Sequence, residues 1–169
     1  MKNSRSVLLI SLLAFTAAAG AQQTAQPARP AAAPQAQQQQ KLTPAQQAQV
    51  ARQDAEMSKA AARVVQLVDT GKTIEVWDGA SKVAKAVVTR EAFVSQISAD
   101  RKKLGAPGER KRVTVTRSAY AAGGQVPAGN YINVVYATKF ANSPQPVREL
   151  VSFHLDDDKT WRVSGYSLR

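Results

Sequence analysis

Apolar residues recur at helical spacing near the start of the chain. Val50 and Met57 are followed by Ala61, Val64, Val65 and Val68 at intervals of three, four or seven, which predicts one apolar helix face. Thr43 with Gln46 forms a capping-box pattern around Pro44, so the helix should begin there. Gly71 suits a left-handed helix end. The first two turns look too polar to pack tightly.

Shorter helical segments follow. Residues Thr73 to Ala84 predict one or two short turns, broken at Gly79, with Ile74, Trp77 and Val83 pointing inward. Thr89 should cap a further helix, because Glu91 stands in its first turn. Its apolar stripe is Phe93, Val94, Ile97 and Leu104, and Gly105 should close it.

Further along the chain the spacing of apolar residues changes from the helical pattern to every second residue. Four runs predict β-strands: Arg110 to Tyr120, Asn130 to Phe140, Val147 to Leu155 and Thr160 to Leu168. Tyr166 and Leu168 join the face of Trp161 only if a bulge lies near Ser164-Gly165. The predicted fold is α+β: N-terminal helices on one face of a curved, four-stranded antiparallel sheet, cone-shaped, with the other face polar, basic and wetted.

The N-terminal residues indicate export. Lys2 and Arg5 precede the apolar run Val7 to Ala19, and Ala19-Gly20-Ala21 gives a small-x-small cleavage pattern before Gln22. We therefore predict a signal peptide at 1–21, a disordered Gln/Ala/Pro-rich linker at 22–42 and one domain at 43–169. The expected location is the periplasm, with the exterior as the alternative and an uncleaved anchor less favoured.

Several short motifs appear in a recognisable order. They are Val68-Asp69-Thr70-Gly71, Val76-Trp77-Asp78, Val88 to Phe93, Leu104-Gly105 and the closing Trp161-Arg162-Val163-Ser164-Gly165-Tyr166. From Ala60 to Arg169 the chain resembles a family of short exported bacterial proteins known as domain of unknown function 4019. That family is similar in shape to the nuclear-transport-factor-2-like and cystatin-like folds. The resemblance implies a fold but no activity, cofactor or catalytic residue.

The amino-acid composition excludes some kinds of site and favours one class of partner. The chain has no cysteine, which excludes disulfides, thiol catalysis and cysteine-based metal sites. Its formal charge of +11 would be +9 without residues 1–21, and such a surplus favours polyanionic partners. Two basic runs flank a short Gly/Pro loop and predict one ligand-binding patch, made of Arg101, Lys102, Lys103, Arg110, Lys111 and Arg112.

Candidates for catalysis are few. His154 is the only histidine, and strand alternation places it away from Phe153 on the wetter surface, so we expect a solvated residue. Asp69, Glu75 and Asp78 are possible acid–base groups under the sheet, although helix capping or pairing with Lys72 and Lys82 explains them as well. The acidic run at 156–158 predicts a hairpin turn, because it lacks the spacing of a calcium loop.

The leading hypothesis is an exported, non-enzymatic binding module without a cofactor or metal. Its predicted partners are anionic envelope polymers or lipid headgroups, contacted through the basic patch. The alternative is a small-molecule binder or acid–base enzyme that uses a cavity between helices and sheet. A third hypothesis is a homodimer formed through the exposed sheet face.

Overall fold

The computed structural model describes residues 42–169, in which four helices precede four strands. The helices are α1 (Pro44–Asp69), α2 (Thr73–Asp78), α3 (Lys82–Val87) and α4 (Arg90–Leu104), and the strands are β1 (Pro107–Tyr120), β2 (Gly129–Phe140), β3 (Val147–Leu155) and β4 (Trp161–Leu168). The predicted α+β class is confirmed. The predicted signal peptide and nearly all of the predicted linker lie outside the described residues.

Helix α1 begins and ends as its sequence predicts. Thr43 N donates to Gln46 Oε1 at 2.8 Å, and Gln46 N donates to Thr43 Oγ1 at 3.3 Å, which completes the capping box. At the other end Gly71 has φ +75°, so the N–H of Lys72 can reach the carbonyl of Leu67 at 2.7 Å. The first two turns are exposed, as expected from their polar sequence.

The buried face of α2 differs from the prediction. Ile74 is 44% exposed, whereas Thr73, Val76, Trp77 and Ala80 are buried. Thr73, Val76 and Trp77 lie at spacings of three and four, which is one helix face that begins at the first residue of the helix, and Ala80 follows just after the helix ends. The expectation that Ile74 points inward is therefore wrong, and Val76 takes its place beside Trp77.

The four strands form one antiparallel sheet in the order β1-β2-β3-β4. Ser152 pairs with Gly165 and Phe153 pairs with Val163, so Ser164 has no partner in the register. This is the bulge that the sequence predicts, and it restores Tyr166 to the face of Val163. A second irregularity, in the pairing of β1 with β2, leaves Val113 without a partner in the register, and Val113 is 63% exposed.

The hydrophobic core joins the helices to alternate residues of β2, β3 and β4. Its strand members are Ile132, Val134, Tyr136, Val151, Phe153 and Val163, and its helix members include Met57, Val65, Trp77, Phe93 and Ile97. Alternate strand residues share a face, so the core lies against one side of the sheet, which we call the core face. A cone-shaped outline stays a prediction.

The opposite, open face is less uniformly wetted than predicted. Asn133 and Ser152 give it the expected polar character, and their side chains hydrogen-bond at 2.7 Å. Tyr131, Val135 and His154 on the same face are nevertheless buried. No helix within residues 42–169 has the length and apolar character needed to cross a membrane.

The core assignment is testable by comparing two valines. Val151 on β3 has no exposed surface, so Val151→Ala should lower the free energy of unfolding by about 2 kcal/mol. Val113→Ala removes the same atoms from an exposed position and should cost less than about 0.5 kcal/mol. Urea denaturation measures both. Equal losses would contradict the assignment of the core.

Candidate functional site

A buried carboxylate on β3 organises the polar part of the core face. The side chain of Glu149 has no exposed surface. Its Oε2 accepts from Arg110 Nε at 2.6 Å and from Thr138 Oγ1 at 2.6 Å. Its Oε1 accepts from the hydroxyl of Tyr166 at 2.5 Å. Both oxygens therefore have donors, as a buried charge requires.

A second carboxylate extends this arrangement to the helices. Asp69, at the end of α1, receives two bonds from Arg110, at 3.1 Å from Nη1 and 3.2 Å from Nη2. Arg101 of α4 adds an ion pair at 2.9 Å, and its guanidinium lies 4.6 Å from the ring centroid of Phe140. We call Asp69, Arg101, Arg110, Glu149 and Tyr166 the buried ion cluster.

The buried ion cluster is arranged for structure rather than for proton transfer. Burial, with the neighbouring Glu149 carboxylate, raises the pKa of Tyr166 well above its ordinary value, so the phenol stays protonated and keeps donating. Asp69, predicted as a possible acid–base group, is held between two arginines. Glu149 was not predicted as part of a site, although Glu149 lies between Val147 and Val151 on one face of a strand, and a lone acid there is a usable signal.

The predicted basic patch is divided in the structure. Arg101 and Arg110 belong to the buried ion cluster, with side chains only 12% and 20% exposed. Arg110 and Arg112 lie on the core face, whereas Lys111 lies on the open face, because consecutive strand residues alternate. The six residues therefore do not share one exposed surface, and a ligand-binding role for them stays a prediction. Lys102, Lys103, Lys111 and Arg112 remain exposed.

The remaining acid–base candidates are surface residues. Glu75 forms an exposed ion pair with Lys72 at 3.4 Å, and Asp78 forms one with Arg90 at 3.4 Å. Lys72 was expected as a partner, whereas Arg90 was not. Exposed pairs of this kind contribute little to stability and leave the carboxylates in water.

A second polar cluster connects the start of α3 with β3, β4 and the turn between them. Asp156 Oδ1 accepts from Ser81 Oγ at 2.5 Å and lies 2.8 Å from His154 Nδ1, and Asp156 Oδ2 accepts from Arg162 at 3.1 Å. Ser81 N also donates to the carbonyl of Val163 on the edge strand β4 at 2.8 Å. We call Ser81, His154, Asp156 and Arg162 the serine–histidine cluster.

His154 is buried, so its predicted solvated position is wrong. Alternation does place it away from Phe153, but Tyr131 packs edge-on against its ring, with centroids 4.9 Å apart. Gly129, at φ +139°, also lies against the ring, and a Cβ there would collide with His154 Nε2. The chain around Gly129 therefore covers this part of the open face.

The serine–histidine cluster does not have the geometry of a nucleophilic triad. In a triad the serine bonds to the imidazole nitrogen remote from the carboxylate. Here Ser81 Oγ bonds to Asp156 itself and lies 3.4 Å from the same nitrogen, Nδ1, that faces Asp156. The remote nitrogen Nε2 faces the carbonyl of Ala128 at 3.3 Å. The hydroxyl therefore donates to the carboxylate, and the histidine is not placed to act as its base in the manner of a triad.

The acidic run forms the predicted hairpin turn. The N–H of Asp156 donates to the carbonyl of Thr160 at 3.0 Å, and the N–H of Lys159 donates to the carbonyl of Asp156 at 2.9 Å. Hydrogen bonds from Arg162 hold the pKa of Asp158 below its ordinary value. Within residues 42–169 no group of three or more potential ligands is placed to hold a metal ion.

Two surface cavities adjoin these elements. One, of about 500 Å³, lies beside the serine–histidine cluster and has charged walls that include Asp78, Lys82 and Lys85. The other, of about 550 Å³, lies on the open face between α3 and the loop before β2, and we call it the open-face groove. Its lining includes Val87, Tyr120, Val126, Asn133, Ser152, Ser164, Arg148 and Arg169.

Replacing Arg110 tests its assignment to the buried ion cluster. Arg110→Gln leaves the Glu149 charge buried with reduced compensation and should lower the free energy of unfolding by about 3–5 kcal/mol. Lys102→Gln, a neighbour in the predicted patch, should change it by less than about 0.5 kcal/mol. The double variant Arg110→Gln/Glu149→Gln should recover part of the loss. Equal effects of Arg110→Gln and Lys102→Gln would contradict the assignment.

The carboxylate of Asp156 should make stability depend on acid pH. Burial alone would raise the pKa of Asp156, but hydrogen bonds from Ser81, His154 and Arg162 outweigh it and hold the pKa below its ordinary value of 3.8. A depressed folded-state pKa contributes stability that is present above the unfolded value and is lost as pH falls through the folded value.

Asp156→Asn should therefore lower the free energy of unfolding at pH 5 by about 2 kcal/mol. The difference from the original chain should shrink below about pH 4 as the original carboxylate is protonated. Urea denaturation at several pH values measures it, and Asp157→Asn, in an exposed position of the same turn, is the control. A difference that stays constant down to pH 2 would contradict the role of the charge.

Comparisons with known proteins agree with the motif order. No curated protein matches the chain, and no solved structure matches it, so the likeness to nuclear-transport-factor-2-like and cystatin-like shapes stays a prediction. Residues 60–166 match the family described as "Protein of unknown function (DUF4019)", from within α1 to near the end of β4. This match covers more than half of the sequence, and the chain therefore belongs to that family of proteins of unknown function.

Proposed function

We propose that this chain is an exported, non-enzymatic binding module that contacts anionic envelope polymers or lipid headgroups through exposed cations. One observation carries the proposal: the described carboxylates are largely used in ion pairs, whereas many cations are not. Residues 42–169 contain 19 Lys and Arg against 12 Asp and Glu. The internal pairs of Asp69, Glu149 and Asp156 use cations and anions in equal number, so the surplus of cations remains and the field outside the domain is positive.

Six of the exposed cations lie on α1, on β1 beside α1 or in the last turn of α4. Arg52, Lys59 and Arg63 are exposed at spacings of seven and four, which places them along one face of α1. Arg112 also lies beside α1, because its Nη1 donates to Ser58 Oγ at 2.7 Å. Lys102 and Lys103 stand in the last turn of α4. This distribution suits salt-sensitive contacts with an extended anion better than it suits the binding of a small anion in a single pocket.

The geometry supports binding over acid–base catalysis. Glu149 is a carboxylate between helices and sheet, but it is sealed and fully hydrogen-bonded. Ser81 donates to Asp156, and His154 is not placed to act as its base in the manner of a triad. Export rests on the pattern of residues 1–21, and the periplasm is the location that we propose.

A salt series with charge-matched variants tests the proposal. The chain without residues 1–21 should bind heparin and lipopolysaccharide at low salt, and binding should weaken steeply as salt rises. Two triple variants should each reduce the slope of log affinity against log salt by about two: Arg52→Gln/Lys59→Gln/Arg63→Gln and Lys102→Gln/Lys103→Gln/Arg112→Gln. Arg101 and Arg110 are left unchanged, since their loss would act through stability.

The control removes the same charge from another region. Lys82→Gln/Lys85→Gln/Lys159→Gln also lowers the charge by three but changes lysines near the 500 Å³ cavity and the β3–β4 turn. This variant should retain most of the original slope. If the control weakens binding as much as the other two variants, attraction follows net charge and not the proposed surface. Absence of binding at low salt would overturn the proposal.

A further inference from the structure

The open-face groove is large enough for a small molecule, and none of the cations proposed above to bind a polymer lines it. Its volume of about 550 Å³ is within the range of ligand pockets. The floor is the open face of the sheet, one wall is α3 and the other includes the residues before β2. Its lining residues therefore differ from those proposed to bind a polymer, and a ligand could bind there whether or not the domain binds a polymer.

Apolar side chains are exposed along this groove. Val87 is 68% exposed, Tyr120 is 43% exposed and Val126 is 37% exposed. They are three of the six large hydrophobic residues exposed within residues 42–169, and all three line the groove. Concentration of exposed apolar surface in one concave place is typical of a binding surface. The walls are thus suited to an alkyl or other apolar group.

The groove is also lined by cations that an apolar ligand would leave unpaired. Arg148 and Arg169 line the same groove and are exposed, and their backbones pair at 2.8 Å and 2.9 Å. The lining residues include no acidic side chain, so the groove favours a negative charge.

From this combination we infer that the open-face groove binds an amphipathic anion, such as a medium-chain fatty acid. The acid headgroup lies against Arg148 and Arg169, where a guanidinium can give two hydrogen bonds to one carboxylate. The alkyl chain lies along Val87 and Val126. The charge complementarity decides between this ligand and a second copy of the domain, because a face that carries Arg148 and Arg169 would meet the same charges in a symmetric dimer.

Calorimetric titration with decanoate tests the inference. The chain without residues 1–21 should bind decanoate saturably at one site, and 1-decanol should bind at least tenfold more weakly because it lacks the charge. Arg148→Gln should weaken decanoate binding about tenfold, and Val87→Ser should weaken it several-fold by removing apolar contact. Val113→Ser makes the same chemical change at an exposed position outside the groove and should have no effect.

Three results would overturn the inference. The first is no saturable binding of decanoate. The second is equal weakening by Val87→Ser and Val113→Ser. The third is a stable dimer in light scattering that Val87→Asp dissociates and decanoate leaves intact, since a second copy would then occupy the groove. Heparin binding by the Arg148→Gln variant should be nearly unchanged, which separates this result from the polymer test.

Discussion

Burial of one negative charge constrains the rest of the domain. A carboxylate removed from water costs several kcal/mol unless charged and polar donors surround it, and Glu149 has no exposed surface. Its donors come from β1, β2 and β4, and Arg110 extends the contact to Asp69 at the end of α1. Arg101 then brings in α4. Helices and strands must therefore assemble together, because any one of them alone leaves a charge uncompensated.

The architecture was largely predictable from the sequence. One wrong prediction shows how far arguments from apolar periodicity can be taken. Four strands were predicted within three residues of their observed starts and at their observed ends, and the bulge at Ser164 followed from the need to keep Tyr166 on one face. The phase of α2 was not predictable with the same certainty. A helix of six residues contains fewer than two turns, so Ile74 and Val76 fit an apolar face about equally well until tertiary packing selects one.

The candidate site was much less predictable, because its contacts are distant in sequence. Arg110 and Lys111 are neighbours in the chain, yet one points to the core face and the other to the open face. The partner of Arg110, Asp69, lies 41 residues away, and no local pattern connects them. The predicted exposure of His154 was wrong for a different reason. Strand alternation placed it on the correct face, but its covering by Tyr131 and Gly129 is a property of the folded sheet.

Internal ion pairing leaves the positive charge surplus of the domain on its surface. Every carboxylate enclosed by the buried ion cluster or the serine–histidine cluster is withdrawn from the surface, while the chain as a whole has more cations than anions. The cations left outside, such as Arg52, Lys102 and Arg148, then face solvent without equal compensation. The two clusters hold carboxylates and guanidiniums in equal number, so the surplus of cations lies on the surface, and for that reason the ligand that we propose is anionic.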